Sequence, residues 1–315
     1  MAEYKIVVTR NIPGVDEAAK ILPPQWQLWV NPSEQPLTRA ELIENARDAA
    51  GILVCDDRIG DAEMAELPNL KVLSNYGVGL DNLDLEAAKK RGIAVRNLPD
   101  EVTYSTAELA IALILACMRR LGEADRLVRS TNPFRWKPTI VIGRNLRGKT
   151  LGIIGFGRIG QKTAEIAKAF EMKIIYYNRS RKLEAEQRLN AEYYPLDQLL
   201  KTADVVSIHI PGGPETRHLI GAEQLRMMKP EAVLVNTGRG TVIDEAALTE
   251  ALKNQQIAAA GLDVYENEPR VTEELIKLPN VILTPHVGTT TWETRYAMTA
   301  QAMQNIYDEL VKDSK

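Results

Sequence analysis

Three glycines in the spacing G-x-G-x-x-G, namely Gly155, Gly157 and Gly160 in the run TLGIIGFGRIG at 150–160, constrain this chain more than any other feature. An apolar strand runs straight into them and helix-forming residues follow, the order of a dinucleotide-binding βαβ unit. There the first glycine permits the tight turn, the second lets a pyrophosphate approach the backbone, and the third lets the helix pack on the strand. The helix start at Arg158 and Ile159 then offers N–H groups and partial positive charge to the phosphates. Because the motif begins near the middle of 315 residues, a whole domain's length of chain precedes it.

Short β-branched runs alternate with amphipathic segments from the first residues onward, the pattern of a parallel sheet. Strands are expected at 5–8, 51–54 and 71–73, and then at 151–154, 173–177, 205–210, 232–236 and 281–284. The expected fold is α/β, with two Rossmann-like or flavodoxin-like parallel-sheet domains and a cleft between them. Residues 1–100 with 285–315 are expected to form a substrate-binding domain, and 101–284 the dinucleotide-binding domain. Segment 105–120, STAELAIALILACMRR, is helical by composition and apolar nearly all round. Such a helix is buried on every side, here between the domains, against a second subunit in a homodimer, or both.

Charge and composition exclude several classes. Lys and Arg total 39 against 42 Asp and Glu, a net charge of -3 with no long basic run, so nucleic acid is not an expected partner. The longest apolar stretch, 109–118, is far short of the roughly 20 residues of a membrane span. Glu3 and Lys5 stand where a secretory signal would be apolar, which makes the cytoplasm the expected location. With Cys55 and Cys117 the only cysteines and His209, His218 and His286 the only histidines, no metal site is expected.

The second strand of the glycine-bearing unit, KIIYY, leads into Asn178, Arg179, Ser180, Arg181 and Lys182. NAD enzymes place an Asp or Glu there, against the ribose hydroxyls. An amide does not repel a 2'-phosphate as a carboxylate would, and Arg179, Ser180 and Arg181 supply donors to it. NADP is therefore the expected cofactor, with NADPH preferred over NADH. The same charge run also reads as a solvated loop; the missing acid weighs more.

Four motifs carry a likeness over essentially the full chain: NYGVGLDNLD at 75–84, GKTLGIIGFGRIG at 148–160, VNTGRGTVIDEAAL at 235–248, and GLDVYENEP with TPHVGTTT across 261–291. Together they resemble the D-isomer-specific 2-hydroxyacid dehydrogenases, and within them the glyoxylate and hydroxypyruvate reductases. The resemblance implies a catalytic set of Arg239, Glu268 and His286. Reducing a 2-keto acid needs a cation beside carboxylate and carbonyl, a proton donor for the forming alkoxide, and a group that keeps the donor charged. Arg239 offers a bidentate fork, His286 the proton, and Glu268 the charge that favours a protonated imidazole. The resemblance further implies that Tyr76, Val78 and Gly79, with Arg239, bind the substrate, the last two of that loop through backbone N–H groups. It also makes Thr106, Gly155, Gly157, Arg158, Ile159, Gly160, Asn178, Arg179, Ser180, Arg181, His209, Pro211, Thr216, Thr237, Gly238, Asp263, His286 and Gly288 the cofactor's surroundings, with Thr237 and Asp263 on the nicotinamide side.

Two departures stand out. Gly212 and Gly213 occupy positions where relatives usually carry Leu and a Thr or Ser, which implies looser packing around the adenine, and Thr289 and Thr290 replace a commoner Ser-Ala. The implied substrates are small 2-keto acids, glyoxylate and hydroxypyruvate. Alternatives are an NAD-linked D-3-phosphoglycerate dehydrogenase, a 2-ketogluconate reductase, or a non-catalytic dinucleotide-sensing protein like the C-terminal-binding-protein co-repressors. Formate dehydrogenases carry Gln where this chain has Glu268. Asp56 and Asp57 are expected to repel a substrate phosphate, with Arg58 offsetting part of this.

Overall fold

In the computed structural model, which describes residues 3–312, the β-branched runs form strands and the amphipathic segments between them form crossover helices. Parallel neighbours need such crossovers because a hairpin turn reverses direction. The chain divides into two units, Met1–Val102 with Thr289–Lys315, and Thr103–Gly288. The second boundary falls after Gly288, where the sequence reading put it before residue 285, so His286 closes the second unit.

The first unit holds β1 (Lys5–Val8), β2 (Gln27–Val30), β3 (Gly51–Val54), β4 (Val72–Asn75) and β5 (Ala94–Arg96), all parallel in the order β2-β1-β3-β4-β5. Ile6, Val7, Val8, Ile52, Leu53, Val54, Val72 and Leu73 are wholly buried. Helices covering both faces of a parallel sheet make such runs continuously apolar. The C-terminal helix Trp292–Lys312 packs on β3 and β4, with Ile306 filling the space above Gly51.

Chain order reverses between β1 and β3, and the residues just past their carboxyl ends form a buried ion pair. Arg10 Nη1 reaches Asp57 Oδ1 at 2.7 Å and Oδ2 at 2.9 Å, and Arg10 Nη2 pairs with Asp56. This corrects the expectation of a freely acidic loop. One guanidinium serves both carboxylates, so the repulsion toward a substrate phosphate shrinks to about one net charge.

The second unit holds β6 (Thr150–Ile154), β7 (Lys173–Tyr177), β8 (Ala191–Tyr193), β9 (Val205–Ile208), β10 (Val233–Asn236), β11 (Ala259–Leu262) and β12 (Val281–Leu283). All pairings are parallel, in the order β12-β11-β10-β9-β6-β7-β8. The reversal lies between β6 and β9, and ligands of open α/β sheets bind beyond the carboxyl ends at such a point. The apolar helix Thr103–Met118 packs on β10, β11, β12 and the helix Arg158–Ala169. Its Ala107, Ala110, Ile111, Leu113, Ile114, Cys117 and Met118 are buried. These contacts lie within its own unit. Among the described residues, no helix is long and apolar enough to cross a membrane.

Strands β2, β5, β8 and β11 were not expected. The first three are short sheet edges with partly exposed side chains. β11 reads AAGL, poor strand residues by propensity. A Cβ on Gly261 would lie 3.0 Å from Leu113 Cβ and 3.2 Å from Cys117 Sγ, so the strand must be small where the helix lies on it.

Candidate active site

β6 delivers the glycine motif to the reversal point of the second sheet. Gly155 has φ +96, and a Cβ there would lie 2.6 Å from the His209 carbonyl oxygen. A Cβ on Gly160 would come within 2.2 Å of Gly155 O, so helix and turn touch backbone to backbone. Gly157 caps the helix Arg158–Ala169 and faces open space, with nothing within 4 Å of the missing Cβ. Two glycines are thus required by the fold, while the middle one keeps clear a surface beside a helix N-terminus, where a pyrophosphate fits.

Asn178, at the end of β7, braces this turn. Its Oδ1 accepts the Phe156 N–H at 3.3 Å and its Nδ2 donates to Ser180 O at 3.0 Å. Arg179 and its partner Glu215, 3.3 Å apart, are both largely exposed. Arg181 is engaged elsewhere: it pairs with Glu186 at 2.6 Å and lies over the Tyr193 ring. Arg179 and Ser180 are thus the exposed side chains that follow Asn178 directly.

Two loops from neighbouring strand ends carry the charged residues. After β10, Asn236 is fully buried and its amide accepts from Gly238 N–H at 3.0 Å while donating to Arg239 O at 2.9 Å, which shapes the loop bearing Thr237, Gly238 and Arg239. A Cβ on Gly240 would sit 1.9 Å from the Tyr265 carbonyl carbon, so this loop rests directly on the one leading to Glu268. That second loop is held by buried Glu245, whose carboxylate accepts the N–H groups of Glu266 and Thr272, both at 3.0 Å.

After β12, His286 adopts φ +55, a left-handed conformation costly for a residue with a Cβ. Asp263, buried at the end of β11, holds the turn. Its carboxylate accepts Thr284 Oγ1 at 2.6 Å, Val287 N–H at 2.8 Å and Gly288 N–H at 2.9 Å, while its carbonyl accepts His286 N–H at 2.9 Å. Gly288 is wedged between Asp263 and buried Thr106, whose hydroxyl faces Gly288 O at 3.4 Å. Both oxygens of the Asp263 carboxylate thus serve the turn that carries His286.

His286 Nδ1 lies 2.9 Å from Glu268 Oε2, and both side chains are partly exposed. Burial works to raise the Glu268 pKa, but the His286 hydrogen bond and charge, the Tyr265 N–H and the Arg239 charge outweigh it and hold it below the ordinary carboxylate range. The imidazole Nε2 has no partner among the described residues. His209 is the opposite case. Its Nε2 is 2.9 Å from Ser207 Oγ, and burial pushes its pKa down to about 4, so it stays neutral at pH 7. The two histidines thus differ in setting: His209 is buried and neutral, while His286 is partly exposed with one ring nitrogen on a carboxylate.

Other expected residues fall as follows. Thr216 Oγ1 donates to Pro211 O at 2.9 Å and closes the loop after β9. A Cβ on Gly212 would meet Arg239 Cγ at 3.2 Å, so the missing side chain there leaves room for the arginine. Thr290 Oγ1 accepts Arg295 Nη2 at 3.0 Å. In the first unit, the Tyr76 hydroxyl bonds Arg295 O at 3.0 Å and Thr299 Oγ1 at 2.9 Å, and its N–H donates to Val54 O. His218 pairs with Glu266 at 2.6 Å. Among the described residues no group of three His, Cys, Asp or Glu side chains is placed to hold a metal. Asn236 and Glu245 were not singled out from the sequence; the first is visible only as a polar residue at the end of an apolar strand.

Residues 111–288 match the family model for the NAD-binding domain of D-isomer specific 2-hydroxyacid dehydrogenases. A glyoxylate reductase of Thermococcus litoralis is 46% identical over 309 residues, covering 96% of this chain and 92% of the relative. Among solved structures, the TT0316 protein of Thermus thermophilus superposes with TM-score 0.91 at 39% identity, covering 98% of this chain and 97% of that one. The NADPH-dependent glyoxylate/hydroxypyruvate reductase of Sinorhizobium meliloti, solved with NADP and malonate, gives 0.84 at 34% identity, covering 98% and 94%.

The two helix-side glycines separate fold from binding. Gly160→Ala is expected to destabilise the protein by about 1–3 kcal/mol through overpacking, read as a lowered midpoint of denaturant unfolding. Gly157→Ala should leave that midpoint near wild type and weaken dinucleotide binding in a fluorescence titration. Equal midpoints for the two variants would contradict the packing described.

Proposed function

Because the chain belongs to the D-isomer specific 2-hydroxyacid dehydrogenases, we propose that it reduces glyoxylate, and hydroxypyruvate beside it, to the D-2-hydroxy acid with NADPH, His286 donating the proton. The observation that carries this reading is the His286–Glu268 pair, with one imidazole nitrogen on the carboxylate and the other open. A nicotinamide bound in the second unit would supply the hydride for the carbonyl carbon. His286 Nε2–H protonates the carbonyl oxygen as it gains charge, and the ionised Glu268 stabilises the imidazolium beforehand. Arg239 holds the substrate's carboxylate and carbonyl oxygens, and the N–H groups of Val78 and Gly79 receive the carboxylate.

NADPH is favoured by Asn178, which puts no carboxylate against a 2'-phosphate, and by the exposed Arg179 and Ser180 beside it. The NADPH-dependent relative solved with NADP supports the same choice. Glyoxylate is preferred over a phosphorylated keto acid on the strength of the glyoxylate reductases among the relatives, since the acidic loop after β3 is largely neutralised by Arg10. The unpaired Cys55 and Cys117 suit a reducing cytoplasm. A homodimer is supported by a set of exposed apolar side chains, Leu121 and Val128 on the helix Leu121–Ser130, then Phe134, Trp136 and Ile142. Light scattering is expected to give twice the 35.1 kDa chain mass, and a monomer at micromolar concentration would overturn the pairing.

A steady-state panel tests the activity. Glyoxylate and hydroxypyruvate should show higher kcat/KM than phosphohydroxypyruvate, and NADPH should exceed NADH by roughly ten- to hundredfold, the usual weight of a charge-assisted contact. Higher efficiency with NADH or with the phosphorylated acid would refute the corresponding half. His286→Ala should lower kcat by about 100- to 10,000-fold with cofactor affinity nearly intact. Glu268→Gln removes the charge that favours the protonated imidazole, so the alkaline limb of the activity profile should move to lower pH. A Glu268→Gln profile superimposable on wild type would remove that role.

A further inference from the structure

Loop 76–79 follows β4 in the first unit, and its carbonyls are tied down one by one. The Leu98 N–H donates to Gly77 O at 3.0 Å, Asn97 Nδ2 to Val78 O at 2.8 Å, and Asn75 Nδ2 to Gly79 O at 2.7 Å. In a trans peptide the N–H points opposite to the carbonyl of the preceding residue. Fixing those three carbonyls therefore turns the N–H groups of Val78, Gly79 and Leu80 away from the donors that hold the loop. None of these N–H groups has an acceptor among the described residues. Successive free N–H groups of this kind form a concavity for an anion.

The clamp is itself anchored. Asn75 is buried, and its Oδ1 accepts Asn82 Nδ2 at 3.0 Å. Asn82 Nδ2 also donates to Asp57 O at 3.1 Å, and Asp57 is the buried partner of Arg10. A chain of hydrogen bonds thus runs from the reversal point of the first sheet to the last peptide of the loop. Asn97, immediately after β5, comes from the other side and controls the peptide that carries the Gly79 N–H.

We infer that Asn97 and Asn75 are positioning residues for substrate binding: by holding the carbonyls of Val78 and Gly79, they keep the Gly79 N–H facing the keto acid's carboxylate and the Leu80 peptide beside it fixed. This rests on the reading that the loop receives that carboxylate. Neither asparagine touches the substrate. Their loss frees a peptide to rotate, which weakens carboxylate binding without altering proton donation at His286.

Asn97 is the more accessible of the two and is the variant of choice, with Asn97→Asp placing a carboxylate oxygen against the Val78 carbonyl. In the full-length protein with NADPH, Asn97→Ala should raise the KM for glyoxylate about tenfold, the scale of one lost hydrogen bond to a held group. The inhibition constant of oxamate, a non-reacting carboxylate analogue, should rise in parallel, while kcat and the KM for NADPH stay within about twofold of wild type. Asn97→Asp should be worse than Asn97→Ala on the first two measures, and Asn82→Ala should reproduce the pattern through Asn75. A wild type that reduces glyoxylate, with Asn97→Ala and Asn97→Asp both keeping KM and the oxamate constant within about twofold, overturns the positioning role alone. A fall in kcat at unchanged KM overturns it as well. Wild-type protein that neither reduces glyoxylate nor binds oxamate in calorimetry overturns the reading of the loop, and this inference with it.

Discussion

Asp263 is the interaction on which the candidate site depends. Its position at the end of a central strand fixes its backbone, and its carboxylate gathers the hydroxyl of Thr284 and the N–H groups of Val287 and Gly288. A histidine at φ +55 is an arrangement that costs of order 1 kcal/mol or more and persists only where its surroundings over-determine it. The buried carboxylate supplies that determination. In return the turn satisfies a charge that could not otherwise remain in the interior.

From this fixed point the electrostatics follow. His286 faces Glu268, whose loop is gripped by Glu245 and pressed against the loop of Arg239 at Gly240. Three carboxylates with different surroundings therefore do three things: Asp263 shapes a turn, Glu245 shapes a loop, and Glu268, partly open to solvent, remains ionised beside an imidazole. His209, a strand away, is kept neutral by burial. The fold sorts similar side chains into dissimilar environments, and the residue types alone do not distinguish them.

The first unit uses neutral hydrogen bonds to similar effect. Its asparagines present N–H groups by holding carbonyls, and the buried Arg10–Asp57 pair supports them from the sheet's reversal point. One partner of such a pair cannot be removed cheaply, since the remaining charge would be left buried and unpaired. Both units therefore follow one rule. Strand ends, which are rigid, carry the polar groups, and the loops between them are shaped by hydrogen bonds from neighbouring side chains.

Much of this was legible in the sequence. The parallel-sheet class and the glycine turn could be read because each is encoded by contiguous residues: an apolar run ending in turn residues, or glycines at fixed spacing, whereas Arg239, Glu268 and His286 were named through the resemblance of their motifs. The edge strands were too short and too exposed to announce themselves, and β11 was hidden by small residues whose reason, the helix Thr103–Met118 lying on Gly261, is tertiary. The sequence names Asp57, Tyr76, Arg181 and Asp263 but does not reveal their hydrogen-bond partners. Arg10 meets Asp57 across 47 positions, Tyr76 meets Thr299 across 223, and Asp263 meets Gly288 across 25. A hydrogen bond reaches only about 3 Å. Local pattern thus determined which segments become strands and turns, while the convergence of strand ends from distant parts of the chain decided which polar groups neutralise one another and which remain open for chemistry.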